Sequence, residues 1–222
     1  MGWDPIWEKV FQEYEWGKYP GESLIRFIAK NFYNTRRKNI KILEIGCGVG
    51  ANLWYMAREG FDVYGIDGSA SAIKKARISL EAEKLNADLK TGDAAMLPYD
   101  ASYFDAVIDV ECLYSNSKAD AEKILAEIKR VLKEEGLFYS RTLADDMYIG
   151  RSSKKIAEME YVNISDGPVA GRGLARLSSK DQVEALYGKF FTVMSIDSLV
   201  ATFDNGSVKV SEWNIICRKR GA

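Results

Sequence analysis

The spacing of apolar residues divides the chain into helices and strands that alternate. Apolar positions three and four residues apart predict two helices over 4–15 and 21–34, and Gly17 and Pro20 break the pattern between them. The same spacing predicts four more helices, over 52–59, from Ser69 or Ser71 to about Lys84, over 118–132 and over 181–187. Short, mainly apolar runs predict five strands, over 40–45, 61–66, 87–91, 104–110 and 137–143. This alternation indicates a parallel sheet with helices on both faces.

The end of the chain departs from this alternation. Residues 190–200 and 208–218 are predicted strands on either side of Asp204-Asn205-Gly206. Because Asn-Gly favours the tight turn of a β-hairpin, we expect the sheet to finish with an antiparallel pair.

The least regular part of the chain is 141–178, between the fifth strand and the last helix. Its polar and glycine residues include Asp145, Asp146, Tyr148, Gly167, Gly171, Arg172, Gly173 and Arg176. Long irregular insertions in compact domains are mostly functional or mobile, so we interpret this segment as a substrate lid. A solvated surface loop without a specific role is the alternative.

Composition narrows the class of protein. Hydrophobic residues make up 47 % and charged residues 28 % of the chain, as in a globular protein with an apolar core. The length of 222 residues suits one α/β domain with a modest elaboration. The 31 Lys and Arg residues balance 32 Asp and Glu residues, so the basic excess typical of nucleic-acid binders is absent. A nucleic-acid partner is therefore not expected.

The residue types and motifs that the sequence lacks limit the catalytic chemistry and the cellular compartment that we expect. The absence of histidine excludes His-based triads, His metal sites and a His general base, and we expect no metal site. Cys47, Cys112 and Cys217 are odd in number and lack metal-ligand spacing, which suggests a reducing compartment. The sequence shows neither an apolar run of the ~20 residues that a membrane span needs nor a signal-peptide pattern. We expect a soluble cytoplasmic protein without a membrane partner.

A glycine-rich loop follows the first predicted strand, in the sequence Glu44-Ile45-Gly46-Cys47-Gly48-Val49-Gly50-Ala51. Residues without a Cβ atom allow a tight turn and close approach of a ligand, and the next helix offers free N–H groups to an anion. The loop also satisfies the G-x-G-x-x-G/A pattern of dinucleotide sites. Asp67 ends the second strand, where a carboxylate can accept hydrogen bonds from ribose hydroxyls; helix capping is its alternative role. These features fit NAD and S-adenosylmethionine equally.

Further motifs resemble those of the class I S-adenosylmethionine-dependent methyltransferases. Glu44 stands where that family has the acidic residue of its first motif, and Gly92-Asp93-Ala94 follows the third strand where the family binds adenine. Residues 97–99 and 104–109 are similar to the fourth-strand motif, and 130–137 to the R-V-L-K-x-x-G motif. The resemblance covers about 40–143 in order, and this ordered set favours S-adenosylmethionine over a dinucleotide.

The resemblance implies a fold and a division of the chain. The fold class is α/β, a Rossmann-like doubly wound sheet of seven strands in the order 3-2-1-4-5-7-6 with an antiparallel C-terminal hairpin. A single methyltransferase domain over 1–222 has four parts. They are an N-terminal helical lid (1–38), a cofactor-binding core (40–143), a substrate-lid insertion (144–178), and a C-terminal helix and hairpin (179–222).

The resemblance also implies residue roles. Asp67 would hold the ribose hydroxyls, Asp93 and the Ala94 N–H would contact adenine, and Glu44 would lie near the methionine ammonium. Gly68 departs from the family's apolar side chain beside adenine, so Met96 or Leu97 would cover that face. The residues expected to contact the cofactor are Glu44, Gly46, Cys47, Gly48, Gly50, Asp67, Gly68, Asp93, Ala94, Met96, Val110, Glu111, Tyr14, Trp16 and Tyr19.

The N-terminal aromatic residues are candidates for a cover over the cofactor. They are Trp3, Trp7, Tyr14, Trp16 and Tyr19. Ordinary core packing is the alternative for each. Trp16 and Tyr19 lie in the break between the first two helices and Tyr14 lies just before it, and an aromatic face attracts a sulfonium cation. We therefore expect these three residues to cover the cofactor.

The methyl acceptor is expected beyond the carboxyl ends of the strands. Glu111 and Tyr114 follow the fourth strand and are the candidate bases, and Asp145 is a further candidate from the insertion; a pocket-lining role is the alternative for each. A base is required only where the nucleophile must lose a proton, because displacement at an activated sulfonium depends above all on alignment.

The expected activity is methyl transfer to an O, N or C atom of a small metabolite by a monomer or homodimer. The alternatives are a non-catalytic S-adenosylmethionine-binding module that acts through a protein partner, and methylation of tRNA or protein.

Overall fold

The computed structural model describes residues 3–221. Within them the strands are β1 (Lys41–Ile45), β2 (Asp62–Asp67), β3 (Asp88–Thr91), β4 (Phe104–Val110), β5 (Leu132–Leu143), β6 (Lys154–Ala157), β7 (Glu160–Val162), β8 (Ala175–Arg176), β9 (Thr192–Phe203) and β10 (Val208–Arg218). The α-helices are α1 (Ile6–Glu13), α2 (Glu22–Phe32), α3 (Ala51–Arg58), α4 (Ala70–Ala82), α5 (Lys118–Val131) and α6 (Lys180–Tyr187). None of these helices is long and apolar enough to cross a membrane.

The main sheet has seven strands in the order β3-β2-β1-β4-β5-β10-β9. β1 to β5 are parallel neighbours, whereas β10 runs antiparallel to both β5 and β9. Because β9 and β10 are the sixth and seventh strands of this sheet, the predicted order 3-2-1-4-5-7-6 is confirmed. The predicted turn at 204–206 joins them, with Asn205 in the left-handed region at φ 57°.

Helices cover both faces of the sheet, as the alternating pattern predicts. Neighbouring residues of one strand point to opposite faces, so Ile42 packs with α2, α3 and α4, whereas Leu43 packs with α5 and α6. Both side chains are fully buried. This arrangement gathers the carboxyl ends of β1 to β5 at one edge of the sheet.

Serine side chains begin three of the helices. The hydroxyl of Ser69 accepts a hydrogen bond from Ala72 N at 3.0 Å at the start of α4. Ser117 does the same for α5, and Ser179 forms a full capping box with Gln182 for α6. Of the two caps proposed for α4, Ser69 is therefore the one used.

Two element predictions need correction. β5 begins at Leu132, five positions before the predicted 137, because Leu132 pairs with Phe104 before an irregularity that includes Glu135 at φ 60°. The insertion also contains regular structure, since β6, β7 and β8 form a small antiparallel sheet. Its strands have two to four residues, and β6 is exposed throughout, so no periodic apolar pattern marks it.

The small sheet is anchored to the domain by Arg176. This side chain is buried, and its guanidinium donates to the carbonyl oxygens of Asn116 and Leu113, both at 3.1 Å. These carbonyls belong to the segment that follows β4. Arg176 therefore holds the insertion against the carboxyl edge of the main sheet.

The two N-terminal helices have different environments. α2 contributes Leu24, Phe27, Ile28 and Phe32 to the core beneath the sheet. α1 packs instead on α4, and the connection from Tyr14 to Gly21 crosses the carboxyl edge of the sheet. Trp3 and Asp4, α1 and this connection are therefore the described parts of the segment 1–38 that lie over the edge where a ligand would bind.

Candidate active site

A cavity of about 340 Å³ opens at the carboxyl edge of the sheet. Its floor comes from the segments that follow β1, β2, β3 and β4. Its roof comes from the N-terminal segment and from one residue of the insertion, and the residues concerned are Trp3, Trp7, Phe11, Trp16, Tyr19 and Arg172. Strand order places the segments after β3 and β2 at one end of the cavity, and those after β4 and β5 at the other.

The glycine loop has the backbone that its sequence predicts. Gly46 and Gly48 have φ values of 58° and 52°, in the left-handed region that favours glycine. A Cβ atom on Gly46 would lie 2.5 Å from Cys112 Cβ, and one on Gly48 would lie 3.2 Å from the ring of Phe11. Larger residues are therefore excluded at these positions, and the loop leaves its backbone open to a ligand.

Asp67 joins the ends of β1 and β2. Its two carboxylate oxygens accept hydrogen bonds from Gly48 N and Ser69 N, each at 2.8 Å. Burial raises the pKa of this side chain. Each oxygen keeps a further acceptor position, and the side chain lines the cavity. The carboxylate can thus accept from two ribose hydroxyls while it holds the loop, and Ser69 provides the cap of α4.

Glu44 is a buried acid on the wall of the cavity. Its Oε1 accepts a hydrogen bond from Asn52 Nδ2 at 2.5 Å, whereas its Oε2 has no hydrogen-bond partner among residues 3–221. Burial, opposed in part by that hydrogen bond, raises the pKa of the side chain to about 8. An unsatisfied buried carboxylate oxygen favours a cationic ligand. This environment fits the ammonium of a bound methionine moiety.

We expect binding of S-adenosylmethionine at pH 7 to release a proton from Glu44. With a pKa of about 8, the side chain is mostly protonated before binding, and an adjacent ammonium lowers that pKa. Titration calorimetry in two buffers of different ionisation enthalpy counts the protons, and we expect up to about one. Glu44→Gln should abolish this release while keeping the acceptor for Asn52. Equal proton counts in both proteins would disprove the assignment.

Met96 does not cover the end of the cavity that is formed by the segments after β2 and β3. It is 77 % exposed and lies outside the lining, and Leu97 is buried in the core. The ring of Trp3 packs on Gly68 instead, so closely that a Cβ atom on Gly68 would overlap it. The prediction for Met96 fails because the turn after Asp93 directs its side chain into solvent. The indole of Trp3 occupies the space that a side chain at position 68 would fill.

The backbone around Asp93 borders the cavity through Gly92 and Ala94. The Asp93 carboxylate accepts a hydrogen bond from Ala95 N at 2.8 Å, as a turn residue would. Its side chain is not part of the lining. Contact of Asp93 with an adenine amine therefore stays a prediction.

Of the predicted cofactor residues, most share this one cavity. Those in the lining are Glu44, Gly46, Cys47, Gly48, Asp67, Gly68, Ala94, Val110, Glu111, Trp16 and Tyr19. Those outside it are Gly50, Asp93, Met96 and Tyr14. Gly50 begins α3 at φ 84°, and Tyr14 is 60 % exposed, because the chain leaves α1 there with its ring toward solvent. The cavity is also lined by Trp3, Trp7, Phe11, Arg141 and Arg172. The sequence indicated Trp3 and Trp7 only as candidates beside the three chosen aromatic residues, and Arg172 only as part of the substrate lid. No local pattern marks a residue that tertiary packing brings over a distant loop.

Glu111 lies at the other end of the cavity, directly after β4. It has φ 65°, which is strained for a residue with a side chain, and such strain is typical of functional sites. Asp109 shapes this turn by accepting hydrogen bonds from the backbone N–H groups of Cys112 and Leu113. The Glu111 carboxylate lies 3.7 Å from Arg141 Nη2, and Arg141 also pairs with buried Glu212. The turn thus presents a carboxylate, oriented by a guanidinium, to the cavity.

Tyr114 contributes a hydroxyl to the same end. The side chain is 1 % exposed, and its Oη has no hydrogen-bond partner within the described part of the chain. Burial is the main cause that raises its pKa, and Glu111 adds to the effect. A phenol in this environment stays protonated at neutral pH. It can therefore donate a hydrogen bond, but it is a poor general base.

The roof is attached to the floor by Glu8 of α1. Its carboxylate accepts from Ser69 Oγ at 2.5 Å and Ser71 Oγ at 2.6 Å, at the first turn of α4. The Ser69 hydroxyl is the largest cause that lowers the pKa of Glu8 to about 2. The positive end of the α4 dipole also favours this anion. Glu8 therefore stays ionised across the physiological pH range and keeps α1 over the glycine loop.

We expect Glu8→Ala to accelerate cofactor release. Loss of these charge-assisted hydrogen bonds frees α1, and the dissociation rate of S-adenosylmethionine should rise about threefold to tenfold. Stopped-flow fluorescence measures this rate. Glu13→Ala is the control, because Glu13 is exposed on the same helix and pairs only weakly, with Lys9 at 3.7 Å. A release rate equal to that of the control would show that Glu8 does not hold the roof.

Comparisons with known proteins agree with this geometry. A family model described as a methyltransferase domain matches residues 42–136. Ubiquinone biosynthesis O-methyltransferase of Pelagibacter ubique is 32 % identical over 126 residues, which cover 57 % of this chain and 51 % of that enzyme. An uncharacterised methyltransferase of Schizosaccharomyces pombe is 31 % identical over 104 residues, which cover 47 % of this chain and 72 % of that protein. A SAM-dependent methyltransferase structure from Methanosarcina mazei, 22 % identical, has a TM-score of 0.69 over 82 % of this chain and 93 % of that one.

The sheet order defines a Rossmann-like α/β protein, with the glycine loop and Asp67 at the carboxyl edge of its sheet. With the family match and the relatives, the identity is plain: the chain belongs to the class I S-adenosylmethionine-dependent methyltransferases. Its cofactor is S-adenosylmethionine, which excludes the NAD alternative. S-adenosylmethionine suits this cavity, because the Glu44 oxygen without a partner among residues 3–221 can face its ammonium and the glycine backbone is open to it. The match covers about half the length of the ubiquinone biosynthesis enzyme.

Proposed function

We propose that this protein transfers the methyl group of S-adenosylmethionine to an O, N or C atom of a small-molecule acceptor. The observation that carries the proposal is that one cavity is lined both by the glycine loop with Asp67 and by Glu111 with Tyr114. The cofactor supplies an activated methyl group on a sulfonium when bound. The protein's own contribution is to align the acceptor, exclude water and, where needed, remove a proton.

The aromatic roof of the cavity is evidence that the acceptor is a small molecule. The rings of Trp7, Phe11 and Trp16 contact one another with centroid separations of 5.2 to 6.3 Å, and all three line the cavity. A cover of this kind restricts the size of the acceptor, and the balanced charge gives no reason to expect a nucleic acid. The likeness to a ubiquinone biosynthesis O-methyltransferase supports oxygen as the accepting atom.

Glu111 is the proposed general base. Its carboxylate borders the cavity and is oriented by Arg141 at 3.7 Å. It would accept the proton of a hydroxyl or amine as the methyl group is transferred. Tyr114 would position the acceptor by donating a hydrogen bond, which its burial and high pKa allow.

The experiment that tests the function is incubation of the protein with radiolabelled S-adenosylmethionine and a metabolite extract. A labelled small molecule is the expected result. Label only in RNA or protein would replace the small acceptor by a macromolecule. If the protein binds the cofactor but labels nothing, a non-catalytic module would be the better description.

A further inference from the structure

We propose that Arg172 and the hydroxyl groups of Tyr114 and Ser115 form a subsite for an acidic group, so that the methyl acceptor is an organic anion. This inference rests on the proposed function and specifies the substrate class of the same site. The chemistry required is a carboxylate or a phosphate, which a guanidinium holds through two parallel hydrogen bonds.

Arg172 brings a positive charge to the cavity without a carboxylate to balance it. Its guanidinium carbon lies 5.1 Å from the ring centroid of Trp16, and the residue is part of the cavity lining. Within residues 3–221, no acidic oxygen lies close enough to form an ion pair with it. Arg176, four positions later, is buried and bonded to backbone carbonyls. Of these two arginines, Arg172 is thus the one available to a ligand.

Two hydroxyl donors complete the subsite. Tyr114 Oη and Ser115 Oγ are buried, line the same cavity, and have no hydrogen-bond partner in the described part of the chain. Leaving such groups unpaired is costly, so a ligand that accepts hydrogen bonds from both is favoured. Arg172 and Ser115 are close enough to Tyr114 to lower its pKa slightly against the effect of burial. Cation and donors therefore converge on one region.

The acidic residues nearby are already engaged. Glu111 is paired with Arg141. The Asp4 carboxylate accepts a hydrogen bond from Ile6 N at 3.0 Å and packs against Gly173. Neither forms an ion pair with Arg172. An incoming anion would therefore meet a guanidinium that forms no ion pair within residues 3–221 and two hydroxyls that can donate hydrogen bonds to it.

The position across the sheet assigns the subsite to the acceptor rather than to the cofactor. Tyr114 follows β4 and packs with Leu143, Met147 and other residues of β5 and the insertion. Asp67 ends β2 and Gly68 follows it, two strands away from β4 in the sheet order. The carboxylate of the cofactor's methionine moiety is the other anion that could reach Arg172, so the experiment separates the two sources.

The test uses radiolabelled S-adenosylmethionine and a metabolite extract divided by an anion-exchange column. We expect label in a compound from the retained, anionic fraction. For that compound Arg172→Gln should raise KM about tenfold or more, with cofactor Kd unchanged within twofold, and Arg172→Lys should restore part of the affinity. Arg151→Gln is the matched control, because Arg151 is 91 % exposed on the same insertion.

Three results would overturn the subsite alone, and a fourth would overturn the proposed function as well. Label in the unretained fraction would show a neutral or cationic acceptor. An unchanged KM in Arg172→Gln would remove the residue from acceptor binding. A weaker cofactor Kd in that variant would assign the guanidinium to the methionine carboxylate instead. Absence of label in every fraction would contradict the methyl-transfer function itself, and the subsite assignment would fall with it.

Discussion

Replacing Asp67 with alanine is expected to weaken S-adenosylmethionine binding at least about a hundredfold. Each hydrogen bond between a carboxylate and a ribose hydroxyl contributes about 1.5–3 kcal/mol, and the variant loses two of them. The carboxylate also holds Gly48 N and Ser69 N at 2.8 Å, so the glycine loop loses this link to β2 and keeps the hydrogen bond from Cys47 N to Ile66 O. Titration calorimetry measures the change in Kd.

Two controls separate loss of the ligand contact from loss of the fold. Asp197→Ala removes an exposed carboxylate on β9 and should leave Kd unchanged. Thermal unfolding of Asp67→Ala should show a folded protein that is about 2–6 kcal/mol less stable, because two backbone N–H groups are left unsatisfied at about 1–3 kcal/mol each. A folded Asp67→Ala protein with the wild-type Kd would contradict the ribose assignment.

The second large effect is expected for Glu111→Gln, which should lower kcat about a hundredfold. Glutamine has nearly the same shape, so the strained turn at φ 65° is kept, but the amide cannot accept a proton. General-base catalysis contributes about 10²- to 10⁴-fold. The measurement is the rate of methyl transfer from labelled S-adenosylmethionine to the identified acceptor, at saturating concentrations of both.

The design distinguishes a catalytic role from a structural one. Cofactor Kd should stay within about threefold of wild type, because Arg141 keeps its pairing with Glu212 when Glu111 is neutral. Glu184→Gln, on the exposed side of α6, is the matched control and should retain full activity. Full activity in Glu111→Gln would remove this residue from proton transfer, and a fall in cofactor affinity alone would place it against the cofactor.

Local rules predicted the sheet and the conformation of the glycine loop. Strand length, the glycine pattern and the acid at the end of β2 are short-range features, and each corresponds to an element of the structure. The same reasoning failed for Met96 because a turn sequence does not specify which side chain points outward. It also gave no sign of the small sheet in the insertion, since β6 lacks an apolar face.

The contacts of the roof could not be predicted from the sequence, for a different reason. Trp3 on Gly68 and Glu8 on Ser69 join residues about sixty positions apart, and neither pair has a fixed spacing that a motif could express. The free oxygen of Glu44 depends equally on the tertiary structure, because only the arrangement of Asn52 shows which oxygen is bonded.

The indole rings of the roof also place intrinsic tryptophan fluorescence at the cavity. Three of its five tryptophans, Trp3, Trp7 and Trp16, border the cavity, and a fourth, Trp54, contacts Tyr19 at its rim. A ligand that enters the cavity changes the polarity around these rings and hence their emission. Cofactor and acceptor binding can therefore be followed in unlabelled protein, by the same residues that close the site.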